Sequence, residues 1–427
     1  MSVNLTKLKE EACKRIEEKG RDVVKLCSDV IKIPSDNPPG DTSQLAAFLK
    51  EYLEERGIRV RSYEPKEGSP NLVATVDGTR DRPHLILNAH MDQFPAEVGE
   101  TWSFSPYSGE VKDGKIHGRG AADMKGGLTA LLYSFVLMKE MGITLPGKLT
   151  LTLVSDEESG GRWGTEWLLD NVPALVGDAC LNAEPSGLTV RIGEKGIGAL
   201  RLRAVGQPQH ASFSGYAGVN AITKMVRVFP AVESLNKIQG RFTEDTEKII
   251  QQAMKGYDVQ YGHEGRPGMS QVLRHVTVNI GVIKGGAKVN IVPGTCEAEV
   301  DIRIPLGISW EEIEQRLRDE INKIDPTITF EYQEKKPLPA NYTSIDEGIV
   351  ETLYKNAKEV TNNEPLISFT SGGTDCRFFR ARNVPSVAYG PKSYKQAAAN
   401  EYITISDLMT VTKVHTGTII EYLMSSI

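Results

Sequence analysis

The sequence predicts an α/β domain, a mixed sheet covered by helices, interrupted by a smaller α+β insert. Three observations carry this reading. Residues 85–89, 149–154 and 179–183 are short, almost wholly apolar runs, the pattern of strands covered on both faces. Helical patterns alternate with such runs, most clearly over residues 125–141, as α/β folds require. Between residues 192 and 335 the order changes, and beyond Pro337 the α/β alternation resumes.

Taken in order, residues 7–33 read as an amphipathic helix, stopped by Pro34, Pro38, Pro39 and Gly40. Residues 43–56 form a second helix, closed by Gly57. Apolar runs at 59–63, 72–76 and 85–89 follow, then the helix at 125–141, opened by Gly126 and Gly127, then strands at 149–154 and 179–183. In the middle, 198–205 reads as strand, 218–235 as helix, 276–283 and 296–304 as strands, 310–324 as helix and 328–332 as strand. This βαββαβ order is that of a ferredoxin-like sandwich. Polar residues 239–274 interrupt it as an excursion or an extra hairpin. Residues 347–361 are helix, 386–388 strand, and a closing helix starts at Ser406. The expected bounds are 1–191 with 336–427 for the α/β domain and 192–335 for the insert.

Composition narrows the function classes. The 427 residues are 40% hydrophobic and 25% charged, ordinary for a globular chain with a sizeable core. A net charge of −6 argues against a nucleic-acid surface, which needs a basic stripe. No apolar run approaches the roughly 18 residues of a membrane span. Cys13, Cys27, Cys180, Cys296 and Cys376 are scattered and contain no CxxC pair, so neither a zinc ribbon nor a redox pair is indicated. A reducing compartment fits this usage. Residues 4–19 are charged and helical in pattern, unlike a signal peptide, and the expected location is the cytoplasm.

The chemistry gathers where strands end. His90 and Asp92 close the run at 85–89, Glu157 and Glu158 follow 149–154, and Glu184 follows 179–183. Asp123 lies in the turn His117-Gly118-Arg119-Gly120-Ala121-Ala122-Asp123. Each has an ordinary reading alone: a chance His-x-Asp, an acidic helix start, a turn glycine. Together, and each at a strand end, they converge where α/β sheets bind ligands. One imidazole among several carboxylates suits a divalent metal, zinc, manganese or cobalt.

The set His90-Met-Asp92, Gly118-Arg-Gly-Ala-Ala-Asp123-Met-Lys-Gly126-Gly, Asp156-Glu157-Glu158-Ser-Gly160 and Asn182-Ala-Glu184-Pro185 resembles the family of acetylornithine deacetylase, succinyl-diaminopimelate desuccinylase, aminoacylase and carboxypeptidase G. The resemblance spans nearly the whole chain. It implies a zinc-peptidase-like catalytic domain and a lid insert through which two chains form a homodimer. His90 and Glu184 would hold a first metal and Glu158 a second. Asp123, with a cis peptide to Met124, would bridge them. Asp92 would accept the His90 ring N–H. Glu157 would be the general base. His210, in Gly206-Gln-Pro-Gln-His210-Ala-Ser212, would reach the partner's site and stabilise the oxyanion. Asn290, Arg303 and Gly373 would hold the substrate, Arg303 by a carboxylate fork. The implied activity is hydrolysis of an amide-type C–N bond in a small molecule, an N-acyl amino acid or a dipeptide-like compound bearing a carboxylate.

One position departs from the pattern. The family closes its second metal with a histidine three residues before an Asn-Glu pair; here that pair is Asn400-Glu401 and the position holds Ala397. His84, His117, His263, His275 and His415 do not obviously replace it. One or two metals per chain therefore stay open. So do two alternatives, hydrolysis of a different C–N bond, as by an aminohydrolase on an activated substrate, and a non-catalytic ligand-binding homologue. The loop around Asp375 and Arg377 is unusual enough to be substrate-specific, and the ordinary reading of Arg377 is a pairing with Asp375 or a nearby helix.

Overall fold

The structure, a computed structural model, describes residues 4–96, 99, 101–261, 267–332 and 337–425; His263 lies outside them. The chain forms two compact units. The first is Met1–Ile192 with Tyr342–Ser368 and Thr374–Ile427, and the second is Gly193–Asn341 with Phe369–Gly373.

The first unit is built on a mixed sheet, with strands in the order Val60–Tyr63, Asn71–Val76, Lys148–Val154, His84–His90, Ala179–Asn182 and Ser386–Ala388. Four are parallel neighbours: β1 (His84–His90), β2 (Lys148–Val154), β3 (Ala179–Asn182) and β4 (Ser386–Ala388). The two outer strands pair antiparallel. Every residue of β1 and β3 is buried, which is why these strands read as unbroken apolar runs. The polar exceptions are satisfied. Asn88 donates to the hydroxyls of Thr152 and Thr165, each at 3.1 Å, and accepts from the Asn182 amide at 2.8 Å. Three parallel strands in register therefore end side by side, and their C-terminal ends carry His90, Ser155 to Glu158, and Ala183 to Glu184.

Helix α1 (Gly126–Glu140) lies against this sheet and is buried from Gly126 to Met138. It is apolar on every face, as a fully covered helix must be. Thr129 and Ser134 donate to Lys125 O at 2.7 Å and Ala130 O at 2.8 Å. Its first turn passes very close to the end of β3. A Cβ on Gly127 would lie 1.9 Å from the Ala183 carbonyl oxygen. The closing helix Ile405–Ser425 packs on α1. A small antiparallel sheet, Tyr402–Thr404, Lys115–His117 and Glu110–Lys112, ties residues 401–404 to the turn that precedes Asp123.

The second unit contains four antiparallel strands in the order Thr277–Gly285, Thr295–Ile304, Gly196–Val205 and Thr329–Tyr332. Helices Ala221–Ser234 and Trp310–Ile324 pack on them through a core that includes Leu200, Leu202, Val300, Met225, Ile313 and Leu317. Strict alternation of burial along Gly196–Val205 and Thr295–Ile304 shows one covered face. This is the ferredoxin-like arrangement the element order predicts.

Several elements differ from expectation. The first predicted helix is two, Leu5–Glu18 and Gly20–Ile31, because the backbone leaves helical geometry at Lys19. The polar stretch 239–274 holds an 18-residue helix, Glu244–Tyr261. Its buried residues Ile249, Ile250, Ala253 and Tyr257 follow helical spacing. Outward pairs such as Lys248 with Glu244 at 3.0 Å and Gln251 with Glu247 at 2.9 Å give it a polar composition.

Gly127→Ala is expected to destabilise the chain by about 1–3 kcal/mol, the cost of forcing an extra methyl into a packed core. Urea unfolding measures this; an unchanged midpoint would show that α1 and β3 separate easily.

Candidate metal centre

His90 ends β1 and is buried. Its Nε2 lies 3.2 Å from Asp123 Oδ1 and 3.4 Å from Glu184 Oε1. Burial opposes a proton on this ring, but hydrogen bonds that Asp123, Asp92 and Glu184 accept from it outweigh that and raise the His90 pKa well above its usual value. A ring gripped by three carboxylates in this way attracts a cation.

Asp123 sits in the tight turn Ala121–Lys125, with a cis peptide to Met124, as the resemblance implies. Glu401 holds this turn. Its Oε1 accepts from Ala122 N at 2.8 Å and Asp123 N at 3.4 Å, and its Oε2 accepts from Arg119 at 3.1 Å. Arg119 and Glu401 are each about 1% exposed. Burial pushes Glu401 up to about 7 against the pull of Ala122 N–H and Arg119.

Asp92 has a wider role than expected. His90 Nδ1 meets the Asp92 backbone carbonyl at 2.9 Å, closer than the 3.5 Å to its carboxylate. The carboxylate instead accepts from Glu157 N at 3.2 Å, Glu158 N at 3.0 Å and Asn37 Nδ2 at 2.8 Å. Burial disfavours its charge, yet the His90 hydrogen bond and charge lead the interactions that hold its pKa below normal. Asp92 thus orients the ring through its backbone and fixes the Glu157-Glu158 turn through its side chain.

Glu157 is buried and its Oε1 receives Arg377 Nη1 at 3.1 Å. Burial pushes its pKa well up, Arg377 pulls it down, and Glu184 and Asp375 repel its charge. Arg377, whose expected partners are Asp375 or a nearby helix, therefore bonds to Glu157, and its charge also acts on Asp375. Asp375 is fully buried beside them and is pushed up to about 7 by burial, against Arg377 and His90. Glu158 Oε1 is buried with no hydrogen-bond partner. Burial first, and then Asp123, raise the Glu158 pKa well above normal. Burial and Asp123 likewise raise Glu184, whose backbone N–H is anchored on Asn182 Oδ1 at 2.8 Å.

The donors fit a divalent metal. His90, Asp123 and Glu158 each offer a ligand atom within 4.8 Å of the others, and so do His90, Glu157 and Glu184. The orphaned Glu158 oxygen supports this, because a buried carboxylate oxygen without a donor is costly unless a cation faces it. An oxygen-rich set with a single imidazole suits zinc, manganese or cobalt.

The remaining candidates lie in the second unit. His210 is exposed, and its Nδ1 pairs with Ser212 Oγ at 2.7 Å. Asn290 is exposed and its carbonyl accepts from Ala211 N at 3.0 Å, so these two residues are neighbours. Arg303 is half-buried and its Nε donates to Asp301 at 2.8 Å, the strand-level pair that is its ordinary alternative. Gly373 is half-buried at the end of Phe369–Gly373.

Ala397, the expected position of the missing ligand, is exposed. The neighbouring Gln396 is the residue that meets the centre, its Nε2 donating to Asp123 Oδ2. Lys395 and Ala397, on either side, have left-handed backbone with φ of 56° and 57°, and sequence spacing does not reveal such a turn. Glu401 and Arg119 were also missed as site residues, although their signal lay in the very motifs that contain Asn400 and Asp123; the bond of Arg377 to Glu157 was missed as well.

The model of Peptidase family M20/M25/M40 matches residues 86–421. The chain belongs to that family. Its similarity to the succinyl-diaminopimelate desuccinylase of Sulfurovum sp. is 26% identity, covering 93% of this chain and 98% of that one. The N-formyl-4-amino-5-aminomethyl-2-methylpyrimidine deformylase of Bacillus subtilis is 24% identical, with 94% of each chain covered. The crystal structure of an M20 family metallo-carboxypeptidase from Sulfolobus solfataricus has the same fold, with a TM-score of 0.78 at 20% identity over 95% of this chain and 99% of that one. The chain is thus a metal-dependent hydrolase of amide bonds.

Arg119→Leu is expected to destabilise the chain by about 3–5 kcal/mol, the cost of leaving a buried charge without its partner. Chemical denaturation measures it; a loss near zero would show that Glu401 does not depend on this guanidinium.

Proposed function

We propose that the chain removes an acyl group from a small N-acyl amino acid, or cleaves a dipeptide-like compound, with Glu157 as general base. The observation that supports this most is the setting of Glu157. It is buried, bonded to Arg377 at 3.1 Å, and shares a 4.8 Å cluster with His90 and Glu184.

In this reading His90, Asp123 and Glu184 would hold one cation, and Asp123 with Glu158 would hold a second. A divalent ion there, zinc, manganese or cobalt, would supply Lewis acidity toward the scissile carbonyl and make water easier to deprotonate near neutral pH. The protein's own groups do the rest. Glu157 accepts a proton from the attacking water and delivers it to the leaving nitrogen. A carboxylate with a raised pKa suits both halves of that transfer. Arg377 keeps Glu157 in one place and limits how far burial raises its pKa. Asp92 fixes the turn that carries Glu157 and Glu158 and, through its backbone, the His90 ring.

The second unit supplies the substrate contacts in this proposal. Arg303, steadied by Asp301, binds the substrate carboxylate, with Asn290 and the backbone at Gly373 beside the acyl group. His210 serves the partner subunit's centre in a homodimer formed through this unit, and stabilises the oxyanion there. The desuccinylase and deformylase names of the relatives support a deacylation rather than a broader proteolysis. A cytoplasmic location fits the five free cysteines. No described helix is long and apolar enough to cross a membrane.

Glu157→Gln is expected to lower turnover of an N-acyl amino acid by about a hundred- to ten-thousand-fold, with metal content per chain unchanged. Steady-state kinetics beside elemental analysis separates the two effects. Loss of metal in parallel with activity would make Glu157 a ligand instead of the base.

A further inference from the structure

We propose that Gln396 takes the place of the absent histidine and closes a second metal position through its side-chain carbonyl oxygen, with Asp123 and Glu158 as the other protein ligands. The inference rests on the metal-centre reading above and goes beyond it, because neither the family pattern nor the motif spacing assigns Gln396 a role.

Geometry is the first support. The Asp123 carboxylate is used on both sides. Its Oδ1 faces His90 Nε2 at 3.2 Å, and its Oδ2 is met by the Gln396 amide. Gln396 therefore stands on the side of Asp123 away from the His90 contact. A half-turn of the terminal amide about Cγ–Cδ, a broad two-fold torsion, puts Oε1 where Nε2 is. An amide that donates to a carboxylate can thus become one that accepts a cation shared with it.

The loop is shaped for this. Left-handed backbone at Lys395 and Ala397, φ 56° and 57°, flanks Gln396 and leaves the Ala397 methyl exposed. Such conformations are unfavourable for residues other than glycine and asparagine. Three in six residues, counting Asn400 at φ 63°, give a loop in which the residue next to the expected ligand points inward.

Charge is the second support. Asp92, Asp123, Glu157, Glu158, Glu184 and Asp375 form one acidic cluster, and Arg377 and Arg191 are the guanidiniums that act on it. A buried carboxylate cluster of this size is costly unless cations face it. The buried Glu158 Oε1 without a hydrogen-bond partner is a ligand atom still to be used.

The chemistry of the donor sets a preference. A neutral amide oxygen with carboxylates makes a harder site than one closed by imidazole. It suits manganese or magnesium better than zinc.

Equilibrium dialysis of the full chain against Mn²⁺, with elemental analysis and electron paramagnetic resonance of the loaded protein, tests this. Circular dichroism checks that each variant is folded. The wild type is expected to bind two Mn²⁺ per chain and give an exchange-coupled signal. Gln396→Ala should weaken the second ion at least tenfold and leave an uncoupled single-ion signal. Gln396→Glu, which keeps a ligand oxygen and loses the donor, should retain two coupled ions. The proposal is overturned if the wild type binds one uncoupled ion, if Gln396→Ala keeps both with unchanged affinity, or if Gln396→Glu loses the second ion as the alanine variant does. A wild type that binds no Mn²⁺ would instead refute the metal centre itself.

Discussion

Repulsion among buried carboxylates is the constraint on which the first unit depends. Asp92, Asp123, Glu157, Glu184 and Asp375 are each at most 9% exposed, and Glu158 joins them with a buried oxygen. Charges this close in a medium of low polarity raise one another's pKa values or demand counter-ions. Both responses are present. Burial drives Glu157, Glu158 and Glu184 upward, while His90 is driven toward the cationic form by the carboxylates around it. A scaffold that holds such a cluster must be rigid, and the buried strands β1 to β3 with the buried helix α1 provide that rigidity.

Around the cluster, several of the acids are held by groups that do not themselves react. Asp92 grips two backbone amides, Glu401 grips the Asp123 turn and is neutralised by Arg119, and Asn182 anchors the Glu184 backbone. These contacts set side-chain direction to within hydrogen-bond tolerance, which a metal centre needs to bind its ions tightly. The asparagines within the sheet extend the same logic inward, since Asn88 links β1 to Thr152, Thr165 and Asn182.

How much of this was legible depends on the kind of signal. Strands β1 to β3 were, because burial on both faces leaves an almost wholly apolar run. Their terminal His90, Glu157, Glu158 and Glu184 were legible as a set, since strand ends in such sheets face one crevice. The helix Glu244–Tyr261 was not, because the charged and amide residues of its outer face mask the apolar spacing of its inner face. Arg377 and Gln396 were not, for a different reason: their partners are 220 and 273 residues away, and local pattern carries no such information. Gln396 was further hidden by a left-handed turn that exchanges its direction with that of Ala397. Asp92 was placed at the right ring, with its carboxylate bonding the next turn more closely than the imidazole.

If the carboxylate cluster around His90 is a metal centre, its ions depend on that imidazole. Metal content per chain, measured by elemental analysis after loading and dialysis, is the measurement to make on the wild type beside His90→Ala. Metal is expected in the wild type and little or none in the folded variant. Equal metal in both would contradict that dependence, because the one imidazole of the cluster would then play no part in binding.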